Sequence, residues 1–167
     1  QAFLSAEDDT FFQHEGINYQ AILRAFVANL KAGRTKQGGS TITQQVAKAF
    51  FLNRKKELSR KIKEALLAKK LEEHLSKEDI LYLYLNQIFF GENSYGVAAA
   101  ADTYFRKPLD QVTIAEAALL AGLVTAPSAN APTRNPVGAK DRQRYVLSRM
   151  VETGAITEEQ GKQALAE

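Results

Sequence analysis

Apolar residues recur at three- and four-residue intervals along most of this chain, the period of an α-helix with one buried face. Ile22, Leu23, Phe26, Val27 and Leu30 share a face of a helix that Asn18 can cap and that ends near Gly33. Ser40 or Thr41 can open a second helix running through Val46 and Phe50. Residues 58–75 read as a long amphipathic helix with Ile62, Leu66, Leu71 and Leu75 inward. Ser76 and Asp79 resemble a capping box ahead of a helix over 80–90. Thr113 and Glu116 form a better one ahead of the Ala/Leu-rich run to Leu123, and Thr157 with Gln160 repeats it near the end. No sustained alternation marks a strand; a short hairpin near 31–42 is the one β element the pattern allows. Three of the four prolines fall within 127–136, among Ser, Asn and Thr, which predicts a surface connection before the helical pattern of Val146, Leu147 and Met150. The predicted class is all-α, mostly helical.

A chain of 167 residues, 45% hydrophobic and 25% charged, can bury a core of useful size, and is read as a single domain over 1–167. Cysteine is absent, which excludes disulfides, thiol nucleophiles and cysteine-ligated zinc. His14 and His74 lie sixty residues apart, and the carboxylates are not spaced to complete a zinc site, so no metal ligand is assigned. No run approaches the ~20 apolar residues of a membrane span. The chain opens at Gln1, and residues 2–6 read as mid-helix. The expectation is therefore a fragment whose preceding segment carries a targeting or membrane anchor.

Charge is concentrated. Arg54, Lys55, Lys56, Arg60, Lys61 and Lys63 stand within ten residues beside one acid, Glu57. The net charge of +3 is due entirely to that stretch, since acids outnumber bases elsewhere. Such a patch points to an anionic partner: phosphate, nucleic acid or anionic lipid.

Three segments can carry chemistry. Glu7-Asp8-Asp9 precedes Phe11-Phe12. A carboxylate beside aromatic rings is desolvated, which raises its pKa and suits it to proton transfer; the plain alternative is a solvated helix end. Gly38-Gly39-Ser40-Thr41-Ile42-Thr43-Gln44-Gln45 places two permissive glycines and a row of hydroxyls and amides on a helix start, an anion site in form but not a P-loop. The plain alternative is a turn with an N-cap. In Arg60-Lys61-Ile62-Lys63-Glu64, the carboxylate can share a helix face with Arg60 and Lys61, either as ordinary ion pairs or as a group that grips a phosphate. His14 reads as a structural hydrogen-bonder. Asn86 and Tyr95-Gly96 lie around Phe89-Phe90-Gly91, a turn for which packing is the plain reading.

In order and spacing, these pieces resemble the peptidoglycan glycosyltransferase domain (glycosyltransferase family 51) of class A penicillin-binding proteins and monofunctional transglycosylases. The matching motifs are Glu7-Asp8 with Phe11, Phe12, His14 and Gly16; residues 38–45 with Lys48; Arg60 to Glu64; Tyr84-Leu85-Asn86-Gln87-Ile88-Phe89-Phe90-Gly91 with Tyr95-Gly96; and the run from Ala115 to Leu123, followed by Ala126-Pro127-Ser128. Lys56 is the least certain correspondence, since relatives also place Arg there.

The resemblance implies a lysozyme-like core with a smaller membrane-facing lobe, placed here at 17–53. It implies polymerisation of lipid II, with the growing glycan chain as donor and the 4-hydroxyl of the next lipid II as acceptor. Inversion gives a β-1,4 linkage and releases undecaprenyl pyrophosphate. Glu7 and Glu64 would be catalytic. Asp8, Ser40, Thr41, Gln44, Gln45, Lys48, Lys56, Arg60, Lys61 and Asn86 would bind substrate. No cofactor is required by the sequence, although a Mg or Mn cation could sit at the pyrophosphate. The implied partners are lipid II, the nascent glycan chain, the membrane surface and moenomycin-type inhibitors, with no nucleic acid. The implied place is the extracytoplasmic face of the bacterial cell membrane. A lysozyme-like hydrolase is the second reading, but it leaves the cations without a purpose because a glycan carries no pyrophosphate. A helical nucleic-acid-binding module leaves Glu7 to Asp9 and the Gly-Gly turn unexplained, and a catalytically dead scaffold is disfavoured by the presence of both glutamates. No serine has Lys three residues later, so covalent reaction with penicillin is not expected of these residues.

Overall fold

The computed structural model describes residues 1–33, 38–51 and 58–167. Among them are ten α-helices: α1 (Ala2–Glu7), α2 (Tyr19–Ala32), α3 (Ile42–Phe51), α4 (Leu58–His74), α5 (Lys77–Gln87), α6 (Val97–Phe105), α7 (Ile114–Leu123), α8 (Pro127–Asn130), α9 (Pro136–Glu152) and α10 (Glu158–Ala166). A single 3-10 turn covers Leu109–Gln111, and the one β contact is an isolated bridge between Phe89 and Tyr95. The all-α expectation holds. The described part of 31–42 contains no strand; residues 34–37 lie outside the described residues. The proline segment contains a helical turn, α8, and Pro136 is the first residue of α9, where its missing N–H costs nothing.

The chain divides into two compact units, one of residues 1–9 and 85–167, the other of residues 10–84. In the first, α7 is the centre. Ala115, Ala118, Ala121 and Gly122 keep its surface low, so α9 packs close: a Cβ on Gly122 would lie 3.0 Å from Cβ of Arg142. Leu120 and Leu123 from α7 and Val146 and Leu147 from α9 are almost fully buried, each worth about 1.5–3 kcal/mol of apolar transfer. Buried Gln143 donates Nε2 to the Ala115 carbonyl at 2.7 Å, which fixes the register of the two helices. α1 packs on both, with Phe3 edge-on to Phe90 at 5.9 Å and the hydroxyls of Ser5 and Thr153 2.8 Å apart.

The second unit holds α2, α3, α4 and most of α5. The described residues of 17–53, expected as the small lobe, fall inside it. Asn18 caps α2 by accepting from the Ala21 N–H at 2.9 Å, and Gly33 closes it in the left-handed region (φ 62°). The core draws on Phe11, Ile42, Val46, Ala47, Ala68, Ile80 and Tyr84. Two expected inward positions on α4 are corrected: Ile62 and Leu66 are 59% and 63% exposed, because the face that turns inward carries Glu64 and Ala68 instead.

The capping boxes test the electrostatics of the fold. Thr113 and Glu116 cap α7 reciprocally, and Lys107 Nζ reaches Glu116 Oε1 at 2.7 Å. Burial pushes the Glu116 carboxyl up, but the hydrogen bonds from Lys107 and Thr113 outweigh it and hold the group below its ordinary value. A depressed carboxyl contributes stability that is fully present above the ordinary value near 4.5 and is lost as pH falls through the lower folded value. Glu116→Gln should therefore be less stable than the parent at pH 7, with the gap closing under acid; urea unfolding across pH 2–7 measures it.

Candidate active site

Glu7 is the last residue of α1 and is half-buried. Asp8 follows as the C-cap, its backbone N–H donated to the Leu4 carbonyl, and is only 5% exposed. Asp9 is paired with Arg149 Nη2 at 2.8 Å. Arg149 also pairs with Glu152. Burial would lower the Arg149 guanidinium, but the neighbouring Glu152 and Asp9 carboxylates raise it above its ordinary value. The acidic triplet is thus not a solvated helix end: one carboxylate is buried and the next is pinned to α9. Arg149 was not visible in the sequence pattern, since 140 residues separate it from Asp9.

The second motif builds the start of α3 in the other unit. Thr41 accepts from the Gln44 N–H at 3.1 Å, and Gln44 Oε1 accepts from the Thr41 N–H at 2.9 Å, a reciprocal cap. The Thr41 hydroxyl donates its one proton to the Gly16 carbonyl at 2.7 Å. Thr41 (1% exposed) and Gln44 (6% exposed) were expected as hydrogen-bond donors to an anion. The structure commits the Thr41 proton to the backbone instead, because a buried carbonyl must be satisfied. Ser40 is partly exposed, Gln45 half-buried, and Lys48 exposed one helical turn after Gln44 and Gln45.

Glu64 is the centre of this unit's polar chemistry. It is 1% exposed, and its Oε2 accepts from Lys61 Nζ at 2.7 Å. Its Oε1 lies 3.1 Å from Arg60 Nε, close enough for an ion pair but without the alignment of a hydrogen bond. Lys61 Nζ also donates to Ser40 Oγ at 3.0 Å. The structure therefore brings together Ser40, Arg60, Lys61 and Glu64 out of the expected set. Lys61 remains 52% exposed, able to meet a ligand while tethered to Glu64. Lys56 lies outside the described residues, as do Arg54 and Lys55 of the basic stretch. His14 sits edge-on to Phe11 at 6.1 Å between ring centroids.

From Leu85 onward the fourth motif belongs to the first unit. Asn86 is exposed near the end of α5, and the chain then turns back through Gly91, Glu92 and Asn93, all at positive φ. Gly96 (φ 84°) admits no side chain, since a Cβ there would lie 2.8 Å from the Asn86 carbonyl oxygen. The Tyr104 hydroxyl donates to the Phe90 carbonyl at 2.8 Å and holds the turn against α6.

A sequence model of a family described as "Transglycosylase" matches residues 1–151. The chain belongs to the transglycosylase family. Penicillin-binding protein 1A of Neisseria flavescens is 51% identical over 166 residues, covering 99% of this chain and 21% of that protein. A Cupriavidus necator protein carrying a transglycosylase name is 50% identical over 166 residues, covering 99% of this chain and 71% of that one. Among solved structures, penicillin-binding protein 1A from Haemophilus influenzae aligns with a TM-score of 0.54 at 36% identity, over 75% of this chain and 16% of that one. The chain thus spans about a fifth of the length of the penicillin-binding proteins it matches. The transglycosylase family assignment covers all the motif residues named above, because they lie within 1–151.

The cap and the bond to Gly16 give Thr41 a structural role. Thr41→Val keeps the shape but removes the cap and orphans the Gly16 carbonyl. The cap is worth about 0.5–2 kcal/mol and the buried carbonyl about 1–3 kcal/mol. Urea unfolding should show a loss of that order, whereas Ser40→Ala, outside the cap, should cost far less.

Proposed function

We propose that the chain is a peptidoglycan glycosyltransferase of bacterial cell-wall synthesis that polymerises lipid II into β-1,4-linked glycan with undecaprenyl pyrophosphate as leaving group. The observation that supports this most is the buried Glu64 held by Arg60 and Lys61, with Lys61 extended to Ser40 of the glycine-rich turn. A leaving pyrophosphate gains negative charge as the bond breaks. Fixed cations and hydroxyl donors stabilise that charge, typically by about 2.7–4 kcal/mol per donor removed. Arg60 offers a planar fork for a phosphate and Lys61 a point charge on a movable stem. Glu64 keeps both aimed, and its Oε1 retains acceptor capacity. Lys48 and Lys56 add positive charge, and Gln45 and Asn86 add amide donors. In this reading Glu7 takes the proton of the attacking 4-hydroxyl, and Asp8 supports it.

The hydrolase reading needs a proton donor to a neutral leaving oxygen and gives no use to the Ser40–Lys61 contact. Among the described residues, no group of three His, Asp or Glu side chains is placed to hold a metal ion. A Mg or Mn cation would take its ligands mainly from the pyrophosphate, and no step here runs through it. A moenomycin-type inhibitor would place its phosphate on the same cations.

The second unit also suits a membrane surface. Leu23, Phe26 and Leu30 on α2 are 64%, 64% and 73% exposed, and Phe50, Phe51, Ile62 and Leu66 are exposed as well. So many exposed apolar side chains in one small unit mark an apolar contact surface. No described helix is long and apolar enough to cross a membrane. The extracytoplasmic face is the side where lipid II is consumed.

Incubation with lipid II and separation of products by gel tests the activity. A ladder of polymer is expected; release of free disaccharide would favour hydrolysis, and no product would remove the proposal. Glu7→Gln should lose about 10²–10⁴ of the rate and Lys61→Ala about 10²–10³, while Lys162→Ala should match the parent. For the membrane, co-sedimentation with vesicles containing phosphatidylglycerol should weaken several-fold in Phe26→Ser/Leu30→Ser. Equal binding by parent and variant would sink that part.

A further inference from the structure

The start of α3 is anchored twice to α4, and only one anchor involves the residues already placed in the site. The first is Lys61 to Ser40. The second lies eight residues further along α4 from Glu64, about 12 Å at 1.5 Å per residue. There Glu72 Oε1 accepts from Thr43 Oγ1 at 2.6 Å, and Thr43 is fully buried. The same oxygen accepts from Lys77 Nζ at 2.7 Å, a pair with both partners largely buried. Lys77 Nζ also stands 4.4 Å from the centroid of the buried Phe11 ring, which adds a cation–π contact. Gly16 completes the arrangement. Its φ is +83°, and a Cβ there would press on the Ala68 backbone at 3.0 Å and on Glu72 Cγ at 3.2 Å, while its carbonyl receives the Thr41 proton.

From this we infer that Glu72, set by Lys77, is a positioning residue for the anion-gripping group: it fixes the first turn of α3 through Thr43 so that Ser40 meets Lys61. Thr43 is the second residue of α3, three positions after Ser40. A hydroxyl–carboxylate bond of 2.6 Å is among the strong kinds, and one carboxylate oxygen serving two donors leaves Thr43 little freedom. With Thr43 held, the helix start cannot rotate or slide along α4. Lys61 is half exposed and flexible, so it cannot set that register alone. Lys77 supplies the charge that lets Glu72 sit largely buried. None of these three side chains needs to touch substrate. Their effect is to keep a hydroxyl and an ammonium in the geometry that a developing anion needs, where a displacement near 1 Å can cost about 10²-fold.

The inference rests on the transferase reading, so the experiment begins with the parent chain on lipid II; failure of the parent to form polymer defeats that reading and not the anchor. With an active parent, kcat and KM are measured for Thr43→Val, Thr43→Ser, Glu72→Gln and Lys77→Gln. Each variant is first checked by circular dichroism and urea unfolding to be fully folded at the assay temperature. Thr43→Val should lower kcat about tenfold or more with KM within about twofold. Thr43→Ser, which keeps the hydroxyl, should restore most of kcat. Glu72→Gln keeps an acceptor for Thr43 but not the pairing with Lys77, and should fall between. If Thr43→Val does not fold, Lys77→Gln, at the rim of the same contact, carries the test with a smaller kcat loss. Folded variants with kcat and KM both within twofold of the parent, or Thr43→Ser no better than Thr43→Val, would overturn the assignment.

Discussion

A carboxylate that is 1% exposed needs opposite charge and hydrogen-bond donors around it, and in residues 10–84 that need shapes the polar chemistry. Glu64 meets it with two cations from the preceding turn of its own helix. Arg60, 15% exposed, is the more firmly held of the two, while solvent screens the Lys61 pair and leaves its stem mobile. Lys61, half in solvent, carries the constraint outward to Ser40. The interaction that makes Glu64 tolerable inside the unit is also the one that presents a cation and a hydroxyl side by side. Stability and the proposed anion recognition share atoms.

That unit has few other resources. α2 contributes only Ala25 to the buried set, and the apolar face of that helix is largely exposed. A stretch of this size with most of its aromatics exposed must rely more on polar side-chain bonds than on a large core. The Thr41–Gly16 bond and the Asn18 cap, both between side chain and backbone, and the side chain-to-side chain Thr43–Glu72 bond supply these. The first unit is the opposite case: α7 and α9 interlock through small residues and buried aliphatics, and its acidic segment is fastened to that core by Arg149. Glu7 stands at the end of a helix packed on α7 and α9, which gives its carboxylate a rigid base.

What the sequence made legible follows from distance along the chain. The caps at Asn18, Thr113 and Thr157 are three-residue signals, and all three are present. The Arg60, Lys61 and Glu64 cluster is one helical turn and was equally visible. Helical periodicity, however, reports that apolar residues share a face and not what lies opposite. Ile62 and Leu66 match the pattern of a core face yet point to solvent, while Glu64 and Ala68 turn inward. The Thr43–Glu72 contact spans 29 residues and Asp9–Arg149 spans 140, with no local spacing to betray either. Left-handed backbone at Glu92 and Asn93 was likewise hidden, because a turn without glycine at those positions has no strong residue signature.

The second motif shows why a motif is not a list of ligand contacts. Its hydroxyls and amides look equivalent in sequence, but each has one or two protons and the fold spends them differently. Thr41 gives its proton to a backbone carbonyl and Thr43 to a carboxylate, and Gln44 lends its oxygen to the cap. Ser40 Oγ accepts a hydrogen bond from Lys61, so its own hydroxyl proton remains to be directed, and it stands where solvent reaches. Within one eight-residue stretch, then, the inner side of the helix start holds the geometry and the outer side offers donors. A phosphate binding there would meet Ser40 and Lys61 and be supported, without contact, by the two threonines behind them.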